Sequence, residues 1–420
     1  MQRPLDIDFA RSQFPGLGNG WTFFDNAGGS QILARAVERI TSFLYDKNVQ
    51  IGGSYDVSLQ AAKALMEGRV AGMQLVNATR PEEIVFGGST TVLLQNLAKA
   101  MRSQLRPGDE IIVTISDHES NIGPWESLTD AGIVLKFWPL DRKSYVLDIA
   151  DLTPLMSDRT KLVCVTHVSN ILGSINPIGE IAAFVHARGA RICVDAVAYA
   201  PHRAIDVQAW DVDYYVFSLY KTYGPHYAMM YGKHAHLLEL DPLYHYFYGR
   251  DKVPGKLEPG NPNYELAYSL TGIADYLCEL GERAGGSGTA RDKIIAAFEA
   301  IELQENALTD RLLGYLRSRN DCRIFGERDL GRGSRIPTIS FAFEGRNSES
   351  ICKAMDANKI AIRFGDFHAR RLADHIGLPQ YHGAVRVSMV HYNTLEEVDR
   401  LISCLDEILN SDVGQLPTLA

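Results

Sequence analysis

Several features that would point directly to a function are missing from this chain of 420 residues. Its six cysteines are spread along the sequence and no two have the CxxC spacing, which disfavours a cysteine-ligated metal site and a disulfide framework. We therefore expect a reducing compartment. There is no GxxxxGK[ST] motif for a P-loop nucleotide site. The pair His234 and His236 has no third ligand nearby, so we predict no metal.

A basic surplus and long apolar runs are also missing. The chain has 42 Lys and Arg against 51 Asp and Glu, a formal net charge of −9, which disfavours nucleic acid and anionic membrane surfaces as partners. Apolar stretches such as Ile111–Ile115 are far shorter than the roughly 20 residues that span a bilayer. The first residues do not resemble a signal peptide. We expect an unprocessed cytoplasmic protein.

What is present is an alternation of short β-branched runs and amphipathic segments, which predicts an α/β fold with a mostly parallel sheet. The predicted strands of this region are Ile84–Phe86, Glu110–Ser116, Val134–Trp138, Lys161–His167, Arg191–Ala196, Tyr214–Ser218 and Ala228–Tyr231. The predicted helices are Thr90–Leu105, Trp125–Ala131, Pro177–Arg188 and Asn263–Leu280.

The last third of the chain predicts a second, smaller α+β domain. The flexible-looking stretch Gly285–Gly288 suggests a hinge before it. The predicted elements beyond it are the helices Arg291–Arg319 and Leu395–Leu409 and the strands Thr338–Phe343, Ile360–Arg363 and Ala384–Met389.

Four polar residues follow successive predicted strands of the larger sheet, and these are His118, Asn170, Asp195 and Lys221. The last three are spaced by about one βα unit each. Ligands of open α/β sheets bind outside the carboxyl ends of the strands, so we expect all four side chains at one edge of the sheet.

Two of these residues indicate a particular cofactor. An ionised Asp195 inside an apolar run requires a cationic partner, although a helix cap or a structural ion pair would also explain it. Lys221, taken alone, would pass for a surface lysine in a turn. Together they match pyridoxal phosphate, which needs a lysine for a Schiff base and a carboxylate for its pyridinium nitrogen.

A phosphate site is predicted at the start of the helix that follows Gly87-Gly-Ser-Thr-Thr91. Ser89 and Thr90 offer hydroxyls, and the helix N-terminus offers free N–H groups and a positive dipole end. A simple Ser/Thr N-cap is the alternative interpretation.

Seven separated motifs, found between about Phe14 and Leu409, then occur in the order of a known family. They are Phe24-Asp-Asn-Ala27, Gly88-Ser-Thr-Thr91, Asp117-His-Glu-Ser-Asn121, Thr166-His-Val-Ser-Asn-Ile-Leu-Gly173, Val194-Asp-Ala196, Ser218-Leu-Tyr-Lys-Thr-Tyr-Gly-Pro225 and Arg386-Val-Ser-Met-Val-His-Tyr-Asn393. The sequence resembles the class V aminotransferases of fold type I, and within them the cysteine desulfurase-like and selenocysteine lyase-like subgroup.

The resemblance implies an architecture and an assembly. It implies a mostly parallel seven-stranded sheet in a large pyridoxal phosphate-binding domain, which we place at residues 16–285. Residues 1–15 and 286–420 would form the small domain. It also implies a homodimer with a shared active site, in which Asn261 approaches the partner's phosphate.

The same resemblance implies roles for individual residues. Lys221 would form the internal aldimine and move the Cα proton, and Asp195 would keep the ring nitrogen protonated. His118 would stack on the ring, and Asn170 would bond near the ring oxygen. Further roles are phosphate binding by Ser89, Thr90 and Ser218, carboxylate binding by Arg386 (otherwise a surface arginine), and lining of the substrate pocket by Asn26, Ala27 and Arg363.

Three departures from the family pattern bear on the reaction. His368 occupies the position of the cysteine that carries the persulfide in desulfurases, and no cysteine lies between Cys352 and Cys404. His368 would act as an acid or base, or merely pack at the pocket mouth. Ala198 stands in place of a glutamine that contacts the ring oxygen, and Tyr220 replaces a phosphate-binding histidine.

We therefore expect a pyridoxal phosphate enzyme that acts on an amino acid through an aldimine and a quinonoid. β-Elimination that cleaves a carbon–sulfur bond needs no enzyme thiol and is the reaction we favour. Transamination and epimerisation share every step up to the quinonoid and are the alternatives, as is a non-catalytic member of the fold. The aromatic cluster Tyr244–Tyr248 indicates either a bulky substrate or interface packing.

Overall fold

The computed structural model describes residues 4–330 and 335–411. Its strands are β1 (Thr22–Phe23), β2 (Ile84–Gly87), β3 (Glu110–Thr114), β4 (Val134–Trp138), β5 (Thr160–Thr166), β6 (Arg191–Asp195), β7 (Tyr214–Ser218), β8 (Ala228–Gly232), β9 (Cys322–Phe325), β10 (Thr338–Phe343), β11 (Ile360–Ala361), β12 (Arg363–Gly365) and β13 (Ala384–Ser388).

The α-helices alternate with these strands in the first two thirds of the chain. They are α1 (Ile7–Ser12), α2 (Ala34–Asp46), α3 (Asp56–Val76), α4 (Thr90–Met101), α5 (Gly123–Glu126), α6 (Ile149–Leu152), α7 (Ile178–His186), α8 (His234–Glu239), α9 (Tyr264–Tyr268), α10 (Leu270–Arg283), α11 (Ala290–Ser318), α12 (Ser348–Asp356), α13 (Arg370–Ile376) and α14 (Leu395–Leu409).

Seven strands form the large sheet, in the order β2-β8-β7-β6-β5-β3-β4. All neighbours are parallel except β8, which runs antiparallel to both β2 and β7. The residues of β3, β7 and β8 are buried throughout, as expected for strands covered by helices on both faces. The predicted fold class, with its mostly parallel seven-stranded sheet, is confirmed.

The smaller sheet is antiparallel, in the order β12-β13-β10-β9. One predicted strand, Ile360–Arg363, is divided in the structure: β11 pairs with β1 near the start of the chain, and β12 joins the small sheet. The sequence analysis missed β9, whose four residues are too few to show a clear alternation of apolar and polar side chains.

Two helices near the start of the chain were also missed, α2 and α3. No side chain caps the first turn of either helix, so the usual start signal is missing. Both helices pack against α9 and α10. The predicted helix Asn263–Leu280 is interrupted at Ser269, which separates α9 from α10, and the predicted helix Trp125–Ala131 is replaced by α5 and a separate 3₁₀ turn.

Helix α11 joins the two halves of the molecule. Its first part, including Ile294 and Ile301, packs in the hydrophobic core of the large sheet, and its second part, including Leu308 and Leu316, packs in that of the small sheet. Gly285 and Gly288 have positive φ in the turn that connects α10 to α11. The division of domains at residue 285 stays a prediction.

No helix in residues 4–330 and 335–411 combines the length and the apolar character that crossing a bilayer requires.

Candidate active site

A cavity lies at the carboxyl ends of the parallel strands, where β5, β6 and β7 deliver Asn170, Asp195 and Lys221. We call it the inner cavity, and it holds about 500 Å³ of empty space. It is lined by Ser89, Thr90, Thr91, His118, Ser120, Thr166, Val168, Asn170, Asp195, Val197, Ala198, Ser218, Tyr220 and Lys221. The structure therefore brings together every residue that the sequence analysis assigned to the cofactor, except Asn261.

Lys221 and Asp195 form the charged pair of the inner cavity. Burial, reinforced by the charge of the nearby Arg386 and opposed by that of Asp195, lowers the pKa of the Lys221 amine to about 8. Burial raises the pKa of Asp195, which is 4% exposed, to about 6. The carboxylate accepts one hydrogen bond, from the backbone N–H of Val197 (3.0 Å). A buried carboxylate with so little compensation suits a cationic ring N–H.

The ring of His118 lines the cavity and is held in one orientation. Its Nδ1 accepts a hydrogen bond from the backbone N–H of Ser120 (3.1 Å) and lies 2.8 Å from the Ser120 hydroxyl. Burial lowers the pKa of His118 to about 4, helped by the positive charges of Lys221, His368 and Arg386. His118 is therefore a neutral, fixed imidazole at pH 7, suited to stacking rather than to proton transfer.

The start of α4 provides the predicted anion site. The Ser89 hydroxyl accepts a hydrogen bond from the backbone N–H of Val92 (3.2 Å), so Ser89 is the N-cap of the helix. The Thr90 and Ser218 hydroxyls lie 2.8 Å apart and join this helix start to the end of β7. Two hydroxyl-bearing segments and a helix N-terminus thus face one end of the inner cavity.

A second, wider cavity opens beside the first and shares four of its residues. We call it the outer cavity, and it is lined by Ala27, Gly28, His118, Asn170, Tyr220, Lys221, Arg363, Phe364, Gly365, Asp366, Phe367, His368 and Arg386. Lys221 lies where the two cavities meet. A molecule in the outer cavity can therefore reach both the lysine amine and the two arginines.

The two arginines of the outer cavity share one carboxylate. Arg363 and Arg386 are directly opposite each other on β12 and β13, where like charges repel. Asp25 lies between them: one of its oxygens accepts from Arg363 Nε (2.7 Å), and the other from Arg386 Nη2 (3.2 Å). Arg386 is buried, so it is not a surface arginine, and its Nε has no hydrogen-bond partner within the described part of the chain. An anionic ligand would supply one.

The segment between β12 and α13 closes the outer cavity. Asn170 Nδ2 donates to the carbonyl of Phe367 (2.8 Å), and the backbone N–H of Glu119 donates to the carbonyl of His368 (2.9 Å). The guanidinium of Arg386 lies 4.0 Å from the centre of the Phe367 ring. These contacts attach a loop of the small sheet to the edge of the large one.

Two predicted site residues lie elsewhere. Asn26 does not line either cavity: it is buried, and its amide group donates to the carbonyl of Ser388 (2.9 Å) and to Asn393 Oδ1 (3.2 Å). It holds the segment that carries Ala27, which does line the outer cavity. Asn261 is exposed and lies at a separate surface depression with Gly260 and Pro262.

Among the residues to which sequence reasoning gave no role, three matter to the site: Phe367, which lines the outer cavity, and Asp25 and Asp117, which line neither cavity. Burial, opposed by hydrogen bonds from Thr114 and Asn121 and reinforced by the charge of Asp195, raises the pKa of Asp117 to about 8. Asp25 and Asp117 are each adjacent to a residue assigned from the motifs, Asn26 and His118. An acidic residue beside a predicted ligand was the available signal, but only the structure shows what each carboxyl group contacts.

The whole chain is similar to proteins of one family. Its sequence matches the family model described as "Aminotransferase class-V" over residues 22–401. The chain belongs to this family. An aminotransferase-like protein of Gibberella zeae is 41% identical, covering 96% of this chain and 99% of that protein. A cysteine desulfurase-like protein of Aspergillus flavus is 35% identical, covering 98% and 92%.

The fold agrees with this membership. The apo structure of a cysteine desulfurase from Thermococcus onnurineus NA1 superposes with a TM-score of 0.85 at 26% identity and covers 98% of this chain and 99% of that one. The chain is therefore a class V enzyme of the cysteine desulfurase-like type, and its cofactor is pyridoxal phosphate. The inner cavity fits that cofactor, because it combines a lysine amine, a buried carboxylate, a flat imidazole and an anion-binding helix start.

Proposed function

We propose that this enzyme acts on a small cysteine-type α-amino acid and cleaves its carbon–sulfur bond by β-elimination, without an enzyme-bound persulfide. The observation that carries the proposal is the composition of the outer cavity. It holds two arginines for a carboxylate and no thiol.

The proposed roles follow from the position of each side chain. Bound pyridoxal phosphate supplies an electron sink for the amino-acid Cα. Arg386, with its unpartnered Nε, binds the substrate carboxylate, and Lys221 takes the Cα proton, because its lowered pKa leaves a fraction of the amine unprotonated at neutral pH. Asp195 holds the ring nitrogen, while Thr90 and Ser218 hold the phosphate.

A persulfide route lacks a nucleophile. None of the six cysteines, all within the described residues, lines the inner or the outer cavity. Cys352 is buried, and burial raises the pKa of its thiol far above the ordinary value. Thiolates rather than thiols accept sulfur, so transfer to the enzyme is disfavoured.

The proposed reaction balances without an oxidant. Cysteine and water give pyruvate, ammonia and hydrogen sulfide, and the Cβ–S electron pair leaves with the sulfur. The purified enzyme, loaded with pyridoxal phosphate, should therefore form pyruvate and sulfide from L-cysteine in equal amounts.

Other products would identify the alternatives. Alanine with an enzyme-bound persulfide would contradict the proposal. Amino-group transfer to a 2-oxo acid would indicate a transaminase, and formation of D-cysteine an epimerase. Cystine should be tested as a second substrate. Its leaving group is a persulfide, which has a lower proton affinity than the sulfide that leaves from cysteine.

We also propose a homodimer with a shared active site. Large apolar side chains are exposed on two parts of the surface: Tyr246 and Phe247 near Asn261 in the chain, and Tyr45, Tyr55 and Leu59 on or beside α2 and α3. Burial of such side chains against a second copy would stabilise the assembly. Sedimentation should give twice the 46.6 kDa mass of the chain, and Y246D/F247D should shift it toward the monomer. A wild-type monomer would contradict this proposal.

A further inference from the structure

His368 is the residue of the outer cavity that neither the family comparison nor the proposed roles account for. It follows β12 at the tip of the loop that ends at α13, and its ring lines the outer cavity. The residue itself is exposed, so solvent can reach it. The centres of the His368 and His118 rings are 5.5 Å apart.

The backbone holds His368 in place at some energetic cost. Phe367 and His368 both have positive φ, 52° and 58°, a conformation that costs energy for residues other than glycine. Hydrogen bonds maintain it: the Glu119 N–H donates to the His368 carbonyl, and the His368 N–H donates to Asp366 Oδ1 (3.2 Å). A strained, anchored turn that presents one imidazole to a cavity is typical of a functional position.

Most other polar side chains of the outer cavity are engaged: Asn170 Nδ2 donates to the Phe367 carbonyl, Asp366 accepts from the His368 N–H, and the Tyr220 ring stacks on that of His226. Arg363 and Arg386 are bound to Asp25, and guanidinium groups do not release protons near neutral pH. Lys221 is the proposed acceptor of the Cα proton. His118 is held through its Nδ1 by Ser120. The recorded hydrogen bonds of His368 among residues 4–330 and 335–411 are made by its backbone, and its ring nitrogens make none there.

We propose that His368 is the general acid that protonates the departing sulfur, an inference that rests on the proposed β-elimination. As the Cβ–S bond breaks, its electron pair stays on sulfur, and the His368 imidazolium transfers one proton to that sulfur. Hydrogen sulfide leaves, and the neutral imidazole recovers a proton from water. The same position that in desulfurases holds a nucleophile for sulfur would here hold an acid for it.

The test compares two substrates that differ in their need for this proton. Chloride leaves from β-chloro-L-alanine without protonation, whereas sulfide leaves from L-cysteine far more easily as the protonated species. H368Q should lower kcat/KM for L-cysteine by about 10²-fold, within the range of general acid catalysis, and should change that for β-chloroalanine by less than about threefold. Pyruvate formation measures both reactions.

Two further variants complete the experiment. H382Q changes an exposed histidine of the same half of the molecule, outside the two cavities, and should leave both rates unchanged. Imidazole added to H368A should restore the rate with L-cysteine but not raise that with β-chloroalanine.

The other possible outcomes would contradict either the role of His368 or the proposed β-elimination itself. Equal losses with both substrates in H368Q would show that His368 only shapes the cavity, and no loss with either would show that it is not the acid. If the wild-type enzyme forms pyruvate from β-chloroalanine and H368Q affects neither substrate, β-elimination stands and this inference fails. If the wild type forms pyruvate from neither substrate, the proposed function fails and this inference fails with it.

Discussion

The inner and outer cavities adjoin, yet they are built in different ways. The inner cavity is formed by the ends of neighbouring strands of one sheet, and its key residues follow one another at intervals of about one βα unit. The outer cavity combines the four residues that it shares with the inner cavity and three further, distant segments of chain, around Ala27, His368 and Arg386. The inner cavity contains residue types expected for any enzyme with this cofactor. Of the three predicted departures from the desulfurase pattern, Ala198 lines the inner cavity, His368 lines the outer cavity and Tyr220 lines both.

This difference separates the groups needed for catalysis in general from those that determine which substrate reacts. Groups on a packed sheet are held rigidly, as electrostatic catalysis requires. Groups on loops between the halves of the molecule vary more easily among relatives, so they decide which substrate binds and which bond breaks. Substitutions in the inner cavity should therefore lower the rate of every reaction of the enzyme, while those in the outer cavity should change KM, the choice of products or the rates with some substrates more than with others.

The largest effect should come from Lys221, where the two cavities meet. K221A removes both the anchoring amine and the proposed base, so we expect turnover to fall by about 10³-fold or more. The visible absorbance of the bound cofactor should change as well. K143A, at an exposed lysine, is the control. A K221A enzyme with wild-type turnover would contradict catalysis by this residue.

A somewhat smaller loss should separate the two buried aspartates of the inner region. D195N replaces the carboxylate by a neutral amide, so we expect kcat to fall by about 10²-fold with the cofactor still bound. D117N should cost at most about tenfold, because the pKa of Asp117, raised to about 8, already keeps this group neutral at pH 7. Equal losses of kcat in D195N and D117N would contradict the prediction that the charge of Asp195 matters more for catalysis than Asp117 does.

The arginine pair of the outer cavity, unlike His368, should respond in KM rather than in kcat. D25N removes the carboxylate shared by two opposed arginines, so their guanidinium groups lose their alignment. We expect KM for the amino acid to rise about tenfold, with kcat changed less than about threefold. D130N, at an exposed aspartate outside both cavities, is the matched control. A change in kcat with no change in KM would contradict this role and would indicate that Asp25 acts in catalysis, as the residues of the inner cavity do.

The smallest effect is a pH dependence of cofactor attachment. The free amine of Lys221 is the reactive form, and burial lowers its pKa to about 8. Attachment of pyridoxal phosphate to the apo enzyme should accelerate about fivefold from pH 7 to pH 8 and level off above that. R386A removes a neighbouring positive charge, so the midpoint should move to higher pH. Stopped-flow absorbance measures the attachment rate for the wild type and for R386A. A rate that does not change between pH 7 and pH 8 would contradict the prediction.

Much of the larger half of the molecule was predictable from the sequence. Strands β4 and β7 and helix α14 have the predicted bounds, because a buried run or an amphipathic period is a local signal. Strand β9 and helices α2 and α3 were missed, since a short strand and helices without a capping side chain carry weak local signals. The interruption at Ser269 also depends on packing that no window of sequence contains.

In the site, too, some residues were predictable from local sequence patterns and others were not. The sequence alone determined that Asn170, Asp195 and Lys221 would meet, because parallel strands in succession bring their carboxyl ends to one edge of a sheet. Only the tertiary structure decided that Asp25 joins Arg363 and Arg386, since these contacts connect residues 338 and 361 positions apart. The tertiary structure also decided that Asn26 is buried away from both cavities and that His368 lines the outer cavity. Such contacts depend on how the two halves pack, and local sequence patterns carry no record of that packing.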